Sequence, residues 1–126
     1  MMKGIIFAVI LLSIIPVAYA QDYPEHGVRV ETVADNLSIP WSIDFAPDNR
    51  IFFTERTGNL RVIQDGQLLP PIMSLDVAGG EGGLLGIALD PDFEENHFLY
   101  LYYTYNEFFE TKNKVVRYVE SNNSLK

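Results

Sequence analysis

The protein has 126 residues, among them 17 acidic and nine basic side chains, and its formal net charge is −8 at pH 7. A chain this acidic is not suited to bind nucleic acid or an anionic membrane. It contains no cysteine, which excludes a disulfide framework and a thiolate metal site.

The first 20 residues have the pattern of a secretory signal peptide. Lys3 precedes an apolar run from Gly4 to Ile15, and Ala18-Tyr19-Ala20 offers small residues at a cleavage site. The run is shorter than the roughly 20 residues needed to cross a bilayer. We therefore predict cleavage after Ala20, export to the periplasm or the medium, and a mature chain of residues 21–126 without membrane contact. The alternative is an uncleaved N-terminal anchor.

Seven runs after this segment have the composition of β-strands, and no window shows a convincing helical period. Residues that favour turns separate several of these runs. The predicted strands are Val28–Val33, Trp41–Phe45, Ile51–Glu55, Leu60–Gln64, Leu84–Leu89, Phe98–Tyr105 and Val115–Glu120. The mature chain is therefore predicted to be all-β.

A weak internal repeat indicates how the strands are arranged. IDFAPD at 43–48 recurs 44 residues later as IALDPD at 87–92, and each copy precedes an aromatic strand and then a more polar one. Such a period is typical of β-propeller blades. Phe98–Tyr105 is apolar on both faces, which fits an inner strand between two blades. The central strand of a β-sandwich would have the same pattern.

The length of the chain limits this fold prediction. A closed propeller needs roughly four to eight blades, and residues 21–126 supply about two at this period. We therefore expect these residues to be the N-terminal part of a truncated propeller domain. Made alone, that part would expose an apolar blade face around Phe98–Tyr105 and associate; a dimer through this face is the weaker alternative.

The glycine-rich loop GGEGGLLG, Gly79–Gly86, holds one carboxylate, Glu81. The loop lacks the spacing of a dinucleotide-binding loop or a P-loop and precedes a strand, which argues against phosphate binding. In a propeller, Glu81 would project at the start of an inner strand, where ligands collect. It could equally bond only to the glycine amides of its own loop.

The other candidate residues match no catalytic or metal-binding motif. His26 and His97 lie in no recognisable nucleophile motif, so no catalytic residue is assigned. The acidic run Asp90–Asn96 lacks the glycine and closing glutamate of an EF-hand loop, and it predicts an exposed turn rather than a metal site.

The chain resembles the glucose/sorbosone dehydrogenase family from about Val28 to Glu120. The resemblance rests on IPWSIDFAPDNRIFFTERTGNLRVI, GEGGLLGIALDPDFEENHFLYLYYT and KVVRYV, and its most specific parts are Pro40-Trp41, Thr54-Glu55-Arg56 and Gly80–Asp92. It implies an exported six-bladed β-propeller that uses pyrroloquinoline quinone (PQQ) and calcium. Such an enzyme oxidises an aldose sugar at C1 to the lactone and passes the electrons to an acceptor.

The resemblance also implies roles for particular residues. Glu81 stands where the family has a Gln or Glu that lines the cofactor and sugar pocket, and Thr54-Glu55-Arg56 matches a motif with a structural role. The family's histidine base, quinone-binding arginines and calcium ligands lie in later blades. The resemblance thus implies no catalytic or metal-binding residue here, and a segment that is inactive alone. A non-catalytic propeller module that binds a carbohydrate or a protein is the alternative.

Overall fold

The computed structural model describes residues 27–126, so the predicted signal segment lies outside the described part. The chain divides after Glu31, and the unit Thr32–Lys126 holds all the helix and strand elements of the described residues. These elements are β1 (Pro40–Phe45), β2 (Ile51–Glu55), β3 (Asn59–Gln64), β4 (Gln67–Leu68), β5 (Met73–Ser74), β6 (Leu84–Leu89), α1 (Phe93–Asn96), β7 (Phe98–Glu107) and β8 (Glu110–Val119). Within residues 27–126, no helix has the length and apolar character to cross a membrane.

The strands form two antiparallel sheets. In the first sheet the order is β1-β2-β3, and β4 and β5 both pair with the outer edge of β3. The prolines Pro70 and Pro71 separate these two short pieces because they lack the N–H that a ladder requires. In the second sheet the order is β6-β7-β8, and the long β7–β8 hairpin pairs from Phe98↔Val119 to Glu107↔Glu110.

The internal repeat of the sequence corresponds to a repeat in the structure. The first copy, residues 43–48, ends β1 and turns into β2, and the second copy, residues 87–92, ends β6 and leads through α1 into β7. β1 and β6 are therefore equivalent first strands of two successive units. Each unit continues with the aromatic strand and then the more polar strand that the sequence predicted.

The two sheets pack face to face around one apolar layer. Phe52 of the first sheet meets Phe93 of α1 edge to face, with their ring centroids 5.9 Å apart. The buried residues of this layer are Ala46, Phe52, Leu60, Val62, Leu84, Phe93, Leu99, Leu101 and Tyr103. Because both sheets contribute to it, the layer holds the two units together as the main hydrophobic core.

An ion pair joins the sheets at one end of this layer. The guanidinium of Arg50, before β2, donates to both carboxylate oxygens of Glu120, after β8, at 2.8 and 2.9 Å. The Asn123 amide N–H also donates to Glu120, at 2.7 Å, and Asp48 accepts from Arg50 at 2.8 Å. Glu120 is only 2% exposed, so its charge depends on these partners.

Six of the seven predicted strands are confirmed, with changes at their ends. Val28–Val33 is wrong: its three valines are exposed and no strand forms there. Alternating apolar residues make a strand only when a neighbouring strand accepts the backbone hydrogen bonds. The helical turn Phe93–Asn96, which was not predicted, buries Phe93.

The prediction that Phe98–Tyr105 is buried on both faces is confirmed for one face only. Leu99, Leu101 and Tyr103 are buried in the shared layer. On the other face, Tyr102 is 39% exposed and Phe98 is half-buried. The described residues thus cover one side of this strand.

Replacing Glu120 by Gln tests the ion pair. Arg50 would keep only the half-exposed Asp48 as an acidic partner, so we expect a loss of about 2–3 kcal/mol in the free energy of unfolding, measured in urea. The exposed Glu94 provides the control, because Glu94→Gln leaves the sheets unchanged and should stay within about 0.5 kcal/mol of wild type.

The difference in stability between wild type and Glu120→Gln should depend on pH. Burial alone would raise the pKa of Glu120, but the hydrogen bonds from Arg50 and Asn123 outweigh it and hold the pKa below the ordinary 4.5. A carboxyl group whose pKa is lower in the folded than in the unfolded state stabilises the protein at pH values above its unfolded-state pKa. This stabilisation is lost as the pH falls through the folded-state pKa. The stability gap between wild type and Glu120→Gln should therefore narrow below pH 4.5. A constant gap down to the acid transition would contradict this assignment.

Candidate functional site

The glycine loop lies at the end of the molecule opposite the Arg50–Glu120 pair. We call this end the glycine-loop end: it is where β2 finishes, β6 begins and the β7–β8 hairpin turns. The Leu84 amide donates to the Arg56 carbonyl at 3.1 Å, which fixes the start of β6 against the end of β2. Any ligand at this end therefore meets parts of both sheets.

Thr104 of β7 anchors the glycine loop. Its hydroxyl accepts from the Gly83 amide at 2.5 Å, its own amide donates to the Gly83 carbonyl at 3.0 Å, and its carbonyl accepts from the Ala78 amide at 3.0 Å. Thr104 is almost fully buried, so these bonds are protected from water. The loop from Ala78 to Gly83 is thus held at both of its ends by one residue.

Position 83 requires glycine for two reasons: its backbone conformation, and the lack of space for a side chain. Its φ of 142° lies in a region that L side chains rarely adopt, and a Cβ there would collide with the Arg56 carbonyl oxygen and side chain. By contrast, no heavy atom lies within 4 Å of where a Cβ would stand on Gly79 or Gly80. A Cβ on Gly82 would likewise collide with the Thr104 hydroxyl, so the loop is open at Gly79 and Gly80, before Glu81, and tightly packed at Gly82 and Gly83, after it.

Glu81 lies between the open and the tightly packed part of the loop. Its side chain is exposed and forms no hydrogen bond or ion pair with other residues of 27–126. The alternative in which it bonds only to its own glycine amides is therefore not what the structure shows. The carboxylate is free to meet a ligand from solvent.

Thr54, the first residue of the Thr54-Glu55-Arg56 motif, links the two sheets. Its hydroxyl donates to the Leu85 carbonyl of β6 at 2.5 Å and accepts from the Ser42 amide of β1 at 3.2 Å. Thr54 is fully buried. It therefore acts as a structural clamp between β1, β2 and the strand that follows the glycine loop.

Glu55, the second residue, is buried within the first sheet. It accepts from the Ser38 amide at 2.9 Å and from Asn59 and Arg61 at 3.1 Å each. Burial would raise its pKa, but these hydrogen bonds and the Arg61 charge lower it. Glu55 therefore forms its ion pair with Arg61, which lies outside the motif.

Arg56, the third residue, lies against the glycine loop. Its guanidinium is 5.9 Å from the centroid of the exposed Trp41 ring, a cation–π contact. It is half-buried, and its backbone amide donates to the Ile39 carbonyl at 2.9 Å. Arg56 and Glu81 therefore bring one positive and one negative group to the same end.

The structure does not bring the histidine candidate to this site. His97 ends α1 at the opposite end of the molecule, where its carbonyl accepts from the Glu120 amide at 2.8 Å. His26 lies outside the described residues.

The acidic run contains the helical turn α1, and Asp90 beside it accepts several hydrogen bonds. Asp90 accepts from the Asn96 side chain at 2.9 Å and from the Tyr100 hydroxyl at 2.8 Å, and these two hydrogen bonds lower its pKa. Among residues 27–126, no group of three or more His, Cys, Asp or Glu side chains could hold a metal ion. The acidic run thus has a structural explanation.

The sequence profile described as glucose/sorbosone dehydrogenase matches residues 37–126, which are most of the chain and include both sheets. The chain belongs to this family. The resemblance seen in the sequence is therefore confirmed, and this chain is a member of a family of oxidoreductases.

Relatives with known names support the same assignment. The chain is 42% identical over 81 residues to the aldose sugar dehydrogenase YliI of Escherichia coli. The matched segment covers 61% of this chain and 22% of that protein. The structure is similar to the soluble aldose sugar dehydrogenase of E. coli in its apo form, with a TM-score of 0.66, 35% identity, and coverage of 73% and 28%.

A second solved structure is the PQQ-bound form of an aldose sugar dehydrogenase from Streptomyces coelicolor. Its TM-score is 0.63 at 28% identity, with coverage of 76% of this chain and 30% of that one. These neighbours are β-propellers, so the predicted fold class is confirmed: the two sheets are propeller blades. The chain spans less than a third of the length of these relatives.

Sequence reasoning missed two residues that shape this site. Thr104 is a single threonine within the aromatic part of β7, and Arg61 is one of several basic residues with no local motif. Their roles depend on pairing between strands, which the sequence does not display. The strand alternation does place Arg61 on the face of β3 that is opposite the shared layer.

Substituting Gly83 by Ala tests the anchoring of the loop. The added Cβ must displace the Arg56 carbonyl and adopt an unfavourable φ, so we expect a loss of more than about 2 kcal/mol in urea unfolding. Gly79→Ala is the matched control, with open space around it and an expected change within about 0.5 kcal/mol. Equal stability of the two variants would show that the loop is not fixed in this way.

Proposed function

We propose that the protein takes part in oxidising an aldose sugar at C1 to the lactone in a PQQ-dependent reaction, and that Glu81 binds the sugar. The observation that supports Glu81 is its free, exposed carboxylate on a loop that Thr104 and Arg56 hold in place. The names of two relatives support the substrate class, and the PQQ-bound relative supports the cofactor.

The chemistry of Glu81 suits a sugar. An ionised carboxylate accepts hydrogen bonds at two oxygens, and neighbouring sugar hydroxyls can donate to both. Such charge-assisted bonds are stronger than those between neutral groups. The open space beside Gly79 and Gly80 lets a sugar ring approach the loop backbone.

The described residues fit the sugar better than the cofactor. PQQ carries several carboxylates and needs cations or N–H donors around it, and Arg56, the cation against the glycine loop, is already in contact with Trp41. Within the same residues no metal-binding cluster supplies a calcium site. We therefore assign the sugar-binding rim to this part of the protein.

Glu81→Ala tests this proposal in the full-length protein supplied with PQQ, calcium and glucose. Loss of a charged hydrogen-bond acceptor should raise KM about tenfold or more, measured by dye reduction. The control is Glu94→Ala, whose side chain is exposed on α1, away from the glycine loop, and should leave KM unchanged.

Two results would contradict the proposal. An unchanged KM in Glu81→Ala would remove this residue from the site. If the wild-type protein binds aldoses but oxidises none of them with PQQ present, the protein is instead a carbohydrate-binding propeller module.

We also propose that residues 1–20 are a signal peptide and that the protein is exported. The support is the pattern of Lys3, the apolar run and the Ala18-Tyr19-Ala20 site. Mass spectrometry of the protein from the exported fraction of its host should show an N-terminus at Gln21. Recovery with Met1 intact in the membrane fraction would support an anchor instead.

A further inference from the structure

Two positions in the sequence have the Asn-X-Ser pattern that accepts an N-linked glycan in exported proteins. The first is Asn36-Leu37-Ser38, before β1, and the second is Asn122-Asn123-Ser124, after β8. Neither middle residue is proline, which the pattern excludes. Because so short a pattern also arises by chance, the structure around each asparagine carries most of the information.

The second pattern lies on a two-residue hairpin turn. The Ser121 amide donates to the Ser124 carbonyl at 2.8 Å, and the Ser124 amide donates to the Ser121 carbonyl at 3.1 Å. Asn122 and Asn123 form the tip with φ values of 50° and 59°, a conformation that such turns assign to Asn, Asp or Gly. The whole pattern is therefore presented on one short loop.

The fold uses only one of the two asparagine side chains. The Asn123 side chain accepts from Arg50 at 3.0 Å and donates to Gln64 at 2.9 Å, which holds the turn against the first sheet. Asn122 is exposed, and neither its side chain nor the Ser124 hydroxyl has a hydrogen-bond partner within the described part of the chain. The two groups that the glycosylation pattern requires are thus the two that the fold leaves unused.

A polar depression beside Asn122 can receive the first sugar of a glycan. Its volume is about 360 Å³, and side chains that include Asn122, Gln64 and His97 line it. Small-molecule sites begin at roughly 300 Å³, so the depression is of a suitable size for one sugar ring. The amide and imidazole groups in its lining can bond to sugar hydroxyls.

We propose that Asn122 carries an N-linked glycan that a transferase of the host attaches when the chain is exported. In this step, C1 of the first sugar loses its bond to the phosphate of a lipid-phosphate-linked oligosaccharide and forms a bond to Nδ2 of Asn122. Nδ2 gives up one proton, and the lipid phosphate leaves with the electron pair of the broken C–O bond. The inference rests on the proposed export of the chain and goes beyond the proposed sugar oxidation.

The position of Asn122 keeps the glycan away from Glu81. The turn is joined to the Arg50–Glu120 pair, because the Asn123 amide donates to Glu120, and this pair lies at the end opposite the glycine loop. A glycan at Asn122 therefore leaves the glycine-loop end open to ligands.

Asn36 is less suited to carry the glycan. Its Nδ2 already donates to the Asp35 carboxylate at 2.7 Å. The Ser38 amide donates to Glu55 at the end of β2, so this pattern lies at the glycine-loop end. We therefore expect Asn122 to be the preferred acceptor.

The test is mass spectrometry of the full-length protein from the exported fraction of its host. Trypsin cuts after Lys and Arg, so the two patterns fall on separate peptides, Val30–Arg50 and Tyr118–Lys126. We expect the peptide Tyr118–Lys126 to carry the mass of a glycan in most copies, with fragmentation placing it on Asn122. The other peptide should carry less.

Two variants at Ser124 serve as matched controls, because only the backbone of this residue takes part in the turn. Ser124→Ala removes the pattern but keeps Asn122, and it should lose the glycan. Ser124→Thr keeps the pattern and should retain the glycan. Neither change touches the glycine-loop end, so KM for glucose should be the same in both variants.

Several outcomes would overturn the inference. One is an unmodified Tyr118–Lys126 peptide in exported protein that begins at Gln21, which leaves the export proposal intact. Others are retention of the modification in Ser124→Ala, and a glycan on Asn36 in place of Asn122.

The outcomes for the earlier proposals are separate. If the glycan is present on a protein that still begins at Met1, the glycosylation stands and the signal-peptide proposal fails. If the glycosylated protein oxidises no aldose with PQQ present, the glycosylation stands and the dehydrogenase proposal fails.

Discussion

The apolar layer between the two sheets is the constraint on which the rest of the structure depends. Neither sheet is thick enough to bury its own inner face, and without cysteines no covalent link replaces that burial. Phe52 and Leu60 on one side are covered only because Leu84 and Leu99 approach from the other. The polar links at the two ends, Thr54 to β6 and Arg50 to Glu120, then fix how the sheets are aligned.

The same contacts position the candidate site. The glycine loop connects the first sheet to the second, so its shape follows from where the sheets meet. Thr104 and the Arg56 carbonyl leave no space for a side chain at Gly82 and Gly83, while the loop remains open at Gly79 and Gly80, before Glu81. A rigid support under an exposed carboxylate is the arrangement that ligand binding requires, because less entropy is lost when the ligand binds.

The sequence predicted features that depend on local pattern and missed those that depend on partners. Alternation and turn residues located six strands, and the repeat at Ile43 and Ile87 predicted the two blades. The same alternation wrongly predicted a strand at Val28–Val33, where no neighbouring strand accepts its hydrogen bonds. The Arg50–Glu120 pair has no local signal because 70 residues separate its members. For the site, the sequence located Glu81 on its loop, but the supporting Thr104 follows only from strand register.

The order of the strands has a consequence for how the chain folds. Apart from β5, which pairs with β3, neighbours within each sheet are also neighbours in sequence, so each sheet can form from short-range contacts at little cost in loop entropy. The contacts between sheets span much longer separations, and the Arg50–Glu120 pair spans the longest of the links described above. We therefore expect docking of one preformed sheet on the other to be the slow and cooperative event, and until it happens the face of β7 that carries Leu99, Leu101 and Tyr103 is exposed to other chains.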